Sequence, residues 1–258
     1  MNGMNQNRKE KCKLPRVTLA AMTSVKVYET IKALQYSMKD IEFGEVVLIT
    51  HRKPFFLPKG ITYKHTSKLT DIDCFNYKMV YELGDYIDTD FVLLVHYDGF
   101  VVYPESWRDE FMDYDYVGSP WPIPKPGSVH SYHDAEGNLC RVGNSVSLRS
   151  KRLLEFPRKA NLKWERDEEG FYNEDIFICC MNKHRLEEAG MQIAPVEVAA
   201  LFGHEHLVPE TADVDKPFVF HKWWGKNENY PRFQNPVTKC WLTFKKLVRP
   251  LLFWRHRS

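Results

Sequence analysis

The chain lacks what a thiol-metal or redox scaffold would need. Its six cysteines, at positions 12, 74, 140, 179, 180 and 240, include no C-x-x-C pair, which speaks for reduced thiols and against a disulfide frame or a zinc site. No G-x-G-x-x-G or G-x-x-x-x-G-K-[ST] loop follows the first apolar run, which argues against a dehydrogenase or a P-loop enzyme. No apolar stretch is long enough to span a bilayer, and residues 1–13 have no apolar core of the kind a secretory leader carries. The expected location is therefore cytoplasmic. There is no internal repeat. One segment lacks acid altogether: residues 237–258 hold Lys239, Lys245, Lys246, Arg249, Arg255 and Arg257 and no Asp or Glu, so the rest of a chain with net charge +2 is net −4. An acidic body argues against a general nucleic-acid binder.

What remains is an apolar, aromatic chain. Of 258 residues 43% are hydrophobic and 14% aromatic, with 7 Trp, enough to bury the core of one large α/β domain. Residues 1–13 read as a disordered lead, 14–236 as a single domain, and 237–258 as a basic, aromatic tail suited to the surface of an anionic membrane. A packed terminal helix or a dimer contact would explain that tail equally well. Apolar runs at 17–21, 46–50 and 91–95 read as strands and 61–63 as a short one, with helical spacing at 25–38 and 75–83 between them. This alternation implies a mostly parallel sheet. Residues 124–138 form a long loop rich in Pro, Gly, His and Ser. Ser150 is placed to cap a helix at 151–155, a further helix is expected over 176–184, and 193–201 is apolar without a clear period.

The most informative stretch is His96, Tyr97, Asp98 and Gly99, directly after the apolar run 91–95. Ligands of open α/β sheets collect at the carboxyl ends of the strands, and an acid there suits a cation that carries a diphosphate. Asp-Gly is also a common turn pair. Three further segments follow in order: residues 143–149 (Gly143, Asn144, Ser145 through Arg149), the acids Glu174 and Asp175 after Asn173, and His221 among aromatics.

In this order the segments resemble the GT-A class of nucleotide-sugar glycosyltransferases, with its Asp-x-Asp metal motif, glycine-bearing loop, x-Glu-Asp motif and late His. More narrowly, the run from Asp115 to Trp121, the loop 143–149 and the Glu174-Asp175 pair are similar to a family of glycosyltransferase-like domains of unknown function from polysaccharide gene clusters. The resemblance implies a GT-A, Rossmann-like α/β fold over residues 14–230. It implies a metal-dependent, inverting hexosyl transfer from a nucleoside diphosphate sugar, UDP-linked, to a glycan or lipid-linked glycan acceptor in surface polysaccharide or lipopolysaccharide synthesis, on the cytoplasmic face of the inner membrane. Mn²⁺ or Mg²⁺ would be held by Asp98 and His221, with His96 standing where the class has Asp; imidazole ligands favour Mn²⁺.

The resemblance also assigns roles. Asp175 is the base that deprotonates the acceptor hydroxyl and Glu174 orients it, although two acids at a helix start are favourable without catalysis. Ala21, Thr23, Asn76 and Lys78 would meet the donor base, with His96 and Tyr97 beside it. Gly143, Asn144 and Ser145 would line the sugar and acceptor side, Gly143 letting the backbone come close. Trp121 would stack on a sugar ring or pack in the core. His204 and His206 lack the spacing of a helical zinc pair, and Glu205 between them is a candidate for acceptor-site chemistry. Because His96 departs from the class, a glycan- or nucleotide-binding module without catalysis is the alternative reading.

Overall fold

The computed structural model describes residues 11–128, 130, 132–167 and 169–236. Strand β1 (Cys12–Met22) lies between β2 (Ile41–Thr50) and β4 (Phe91–Leu94), and β3 (Thr62–His65) extends the sheet beyond β2; all three pairings are parallel. On the other side of β4 come β6 (Val142–Ser150) and then β5 (Tyr116–Pro120), both paired antiparallel. The order is β3-β2-β1-β4-β6-β5, and β6 alone of these six runs against the rest. The mostly parallel sheet expected from the sequence is the one observed.

Both faces of this sheet are covered. Helix α1 (Val27–Ser37) packs Ile31 and Leu34 with Leu19, Ala21 and Leu48. Helices α2 (Ile72–Tyr81) and α3 (Lys151–Lys159) bring Met79 and Leu154 to Ala20, Met22, Val47 and Ile49. Successive strand residues point to opposite layers, so a strand buried on both faces reads as an unbroken apolar run. At the β5–β6 end a further cluster joins Tyr116, Trp121 and Val142 to Ile176 and Phe177. These two belong to α4 (Glu174–Ile176) and the π turn Phe177–Met181, which continues into α5 (Lys183–Glu188). The last part of the core comes from α6 (Val196–Phe202), which leads straight into β7 (Gly203–His204); β7 pairs in parallel with β8 (Val219–Phe220).

The structure departs from the sequence reading at several points. Cys12 and Lys13, read as part of a disordered lead, belong to β1, because they pair with Ile41 and Glu42; the apolar run marked only the buried half of that strand. Residues 143–149, read as a loop, form most of β6, where Gly, Asn and a buried Arg conceal the strand pattern. Residues 100–103 meet the β8 segment through a single bridge, Val101 to Val219. Ser150 does cap α3, accepting from Leu153 N at 3.2 Å. Residues 237–258 and the first ten lie outside the described residues. Among the described residues no helix is long and apolar enough to cross a membrane.

Candidate active site

Chain topology brings the site together. The carboxyl ends of β1 and β4 open into a cleft of ≈ 420 Å³, within the range of small-ligand sites. One wall is mainly apolar, built from Met22 at the end of β1, Val25 after it, Leu69 before α2, and Ile72 and Phe75 in its first turn, with Thr23, Thr70 and Asp71 among them. The other wall is polar: His96, Tyr97 and Asp98 from the turn after β4, Ser145 from β6, and His221 and Lys222 directly after β8. The β4 turn is closed by His96 N donating to Gly99 O at 2.7 Å. Gly99 is required there, since a Cβ would stand 2.6 Å from Val146 and 2.8 Å from the His221 ring.

Asp98 is 5% exposed and is held from three directions. Its backbone O accepts from Lys222 N at 2.8 Å. Its Oδ2 accepts from Lys222 Nζ at 2.5 Å. Its Oδ1 lies 3.8 Å from His221 Nε2. Burial pushes the Asp98 carboxyl up, but His221 and the Lys222 ammonium outweigh burial and hold it below the usual range. Burial, reinforced by His221, pushes His96 down to about 3, so its imidazole is neutral at ordinary pH. His96 Nε2 is buried and has no hydrogen-bond partner.

Behind the cleft a second set of groups runs from His221 into the core. Because β7 and β8 are parallel neighbours, the residues that follow them, Glu205 and His221, emerge side by side. His221 Nδ1 lies 3.0 Å from Glu205 Oε1, and Asn144 Nδ2 donates to Glu205 Oε2 at 2.7 Å. Asn144 N donates to Asp175 Oδ2 at 3.1 Å, and Ile176 N donates to Asp175 Oδ1 at 2.9 Å. Asn144 does this at φ 111°, a left-handed conformation that Asn tolerates better than most residues. The two carboxylates differ in state. Burial, with Glu174 and Glu205 adding like charge, raises Asp175 to about 8. Burial also pushes Glu205 up, yet His221 more than compensates and leaves it below the usual range. Such a split is how neighbouring carboxylates acquire different proton-handling roles. Glu205 also faces a smaller cleft of ≈ 130 Å³ with His206, Thr211 and Trp224.

The structure thus gathers Thr23, His96, Tyr97, Asp98, Ser145 and His221 around one cleft, and links Asn144 and Asp175 to it through Glu205. Other expected residues lie elsewhere. Ala21 is fully buried in β1. Asn76 and Lys78 sit on the inner side of α2, where Asn76 donates to Tyr172 O and Lys78 pairs with Glu82; only the first turn of α2 faces the cleft. Trp121 is stacked on Tyr132 with ring centroids 4.4 Å apart, so its face is taken. Gly143 serves that packing, because a Cβ there would lie 1.8 Å from the Trp121 ring. Glu174 is enclosed with the fully buried Arg149 at 3.1 Å, a structural ion pair. Lys222 escaped the sequence reading: only the fold sets a residue 124 positions away on Asp98.

A family model described as "Protein of unknown function (DUF5672)" matches residues 73–221, which include His96, Asp98, Asn144, Asp175, Glu205 and His221. The chain is a member of DUF5672. No curated protein sequence matches this DUF5672 chain. Among solved structures it is similar to the galactosyltransferase LgtC in complex with donor and acceptor sugar analogs, at 16% identity and a TM-score of 0.48, over 80% of this chain and 86% of that one. The apo glycosyltransferase GlyE of Streptococcus pneumoniae TIGR4 matches at 11% identity and a TM-score of 0.42, over 89% and 60% of the respective chains. The mannosyltransferase PcManGT of Pyrobaculum calidifontis, in complex with GDP-Man and Mn²⁺, matches at 12% identity and a TM-score of 0.38, over 72% and 57%.

Proposed function

We propose that this DUF5672 chain is a glycosyltransferase that moves a sugar from a nucleoside diphosphate donor, UDP-linked, to a glycan acceptor. The observation that carries this reading is the cleft at the carboxyl edge of the parallel sheet, with an apolar wall at one end and the Asp98, His221 and Lys222 cluster at the other. The apolar wall suits a flat base. The charged end suits a diphosphate, whose charge grows as the anomeric bond breaks. Asp175 is the candidate base for the acceptor hydroxyl, and a base in that role goes with inversion at the anomeric carbon. Glu205 keeps His221 in place and faces the smaller cleft on what we take as the acceptor side.

A divalent Mn²⁺ or Mg²⁺, expected from the sequence resemblance, fits these residues poorly. The Lys222 ammonium already stands on Asp98 Oδ2, which leaves a cation only Oδ1, 3.8 Å from His221 Nε2, beside a fixed positive charge. Among the described residues, the group whose ligand atoms all lie within 4.8 Å of one another is instead His130, Asp167 and Glu169.

The basic, aromatic residues 237–258 extend the proposal to a lipid-linked acceptor at an anionic membrane surface on the cytoplasmic side. The test of the central reading is donor turnover. Nucleotide sugars incubated with the protein and a mixture of glycan acceptors, followed by phosphorus NMR, should release a nucleoside diphosphate with its terminal β-phosphate signal.

A further inference from the structure

Lys222 is tied to Asp98 at both ends: its N–H donates to Asp98 O and its ammonium to Asp98 Oδ2. The backbone that allows this has φ 63° at Lys222, a left-handed conformation unfavourable for a side-chain-bearing residue. The two side chains differ in access. That of Asp98 is 7% exposed and that of Lys222 is 35% exposed, and both line the cleft. The ammonium therefore spans a buried carboxylate and open space. Asp98 uses one of its three N–H donors, which leaves donors for a ligand in the cleft.

We propose that Lys222 is the resident cation of this site: it occupies the position a divalent metal would take at Asp98 and receives the diphosphate of the donor, so that donor binding is independent of metal. This rests on the donor reading above. As the acceptor oxygen bonds to the anomeric carbon and gives its proton to Asp175, the anomeric C–O bond to the donor breaks, its electron pair passes to the β-phosphate oxygen, and the Lys222 ammonium is the group placed to meet that charge. A divalent ion would have to expel the ammonium to reach Asp98 Oδ2, and repulsion between the two cations opposes their sharing one carboxylate.

The experiment is calorimetric titration of the full chain with UDP, and in parallel GDP, in EDTA and in MnCl₂. The wild type is expected to bind at least one of the two in EDTA with a Kd within about twofold of its value in Mn²⁺. Lys222→Gln should weaken binding in EDTA by about tenfold or more, and Mn²⁺ should restore part of that loss by entering the vacated carboxylate. Lys222→Arg, which keeps the charge and guards against a folding defect in the Gln variant, should stay within about threefold of wild type in EDTA. Wild-type binding that appears only with Mn²⁺, or unchanged binding in Lys222→Gln, overturns this inference and leaves the donor reading standing. Absence of binding in both buffers overturns both.

Discussion

Asp175 and Glu205 sit on either side of one asparagine and hold their protons differently. Asp175 is raised to about 8 by burial and by the charges of Glu174 and Glu205, so as a base it is in the wrong state at neutral pH and gains activity as it ionises. Turnover is therefore expected to climb with pH through about 8, and Asp175→Asn should remove that limb and lower the rate by about 10²–10⁴. If the limb survives in Asp175→Asn and disappears in Glu205→Gln, the base is Glu205. The same shift has a stability consequence. An ordinary Asp ionises near 3.8, so between there and about 8 the folded state binds the extra proton. The contribution is full below 3.8 and is lost as pH rises toward 8, and Asp175→Asn should raise the melting temperature near pH 8 while changing little near pH 4. At this scale the sequence singled out Asp98, His221 and Asp175 because each borders a run of apolar residues, Asp98 and His221 after one and Asp175 before one. It misjudged Glu174, because nothing in the sequence pairs it with Arg149, 25 positions earlier. It passed over Lys222, whose meaning depends on Asp98.

Among the elements, β6, which gives Ser145 to the cleft and Asn144 to the groups behind it, was the hardest to read. A strand that contains Gly143, Asn144 and a fully buried Arg149 lacks the apolar alternation by which strands are recognised. Its oddities are explained by neighbours: Gly143 under Trp121, Asn144 between Asp175 and Glu205, Arg149 against Glu174 and over the Tyr116 ring at 5.2 Å. Gly143→Ala is expected to destabilise the protein by about 1–3 kcal/mol through overpacking, measured by urea unfolding, and Trp121→Leu in the same chain should recover part of that loss. A neutral Gly143→Ala would mean that β6 and Trp121 separate more readily than their packing implies. The parallel pair β7 and β8 was equally hidden. Each strand has only two residues, too few for any periodicity, yet together they set Glu205 beside His221.

Across the whole molecule, the order of strands and helices was legible because strands buried on both faces declare themselves as apolar runs, and a parallel sheet with a cleft at its carboxyl edge follows from that. The proposed membrane attachment belongs to this scale as well. The six basic residues at 237–258 are set among Trp241, Phe244, Phe253 and Trp254. A chain ending at residue 236 is expected to lose its partition onto vesicles containing phosphatidylglycerol; unchanged partition would contradict the membrane proposal and leave the transfer reading intact. That reading is tested most directly by phosphorus NMR of nucleotide sugars with acceptor glycans. The wild type is expected to convert at least one donor to its nucleoside diphosphate, and Asp98→Ala to abolish the conversion. Failure of the wild type to consume any donor, or full turnover by Asp98→Ala, would contradict it.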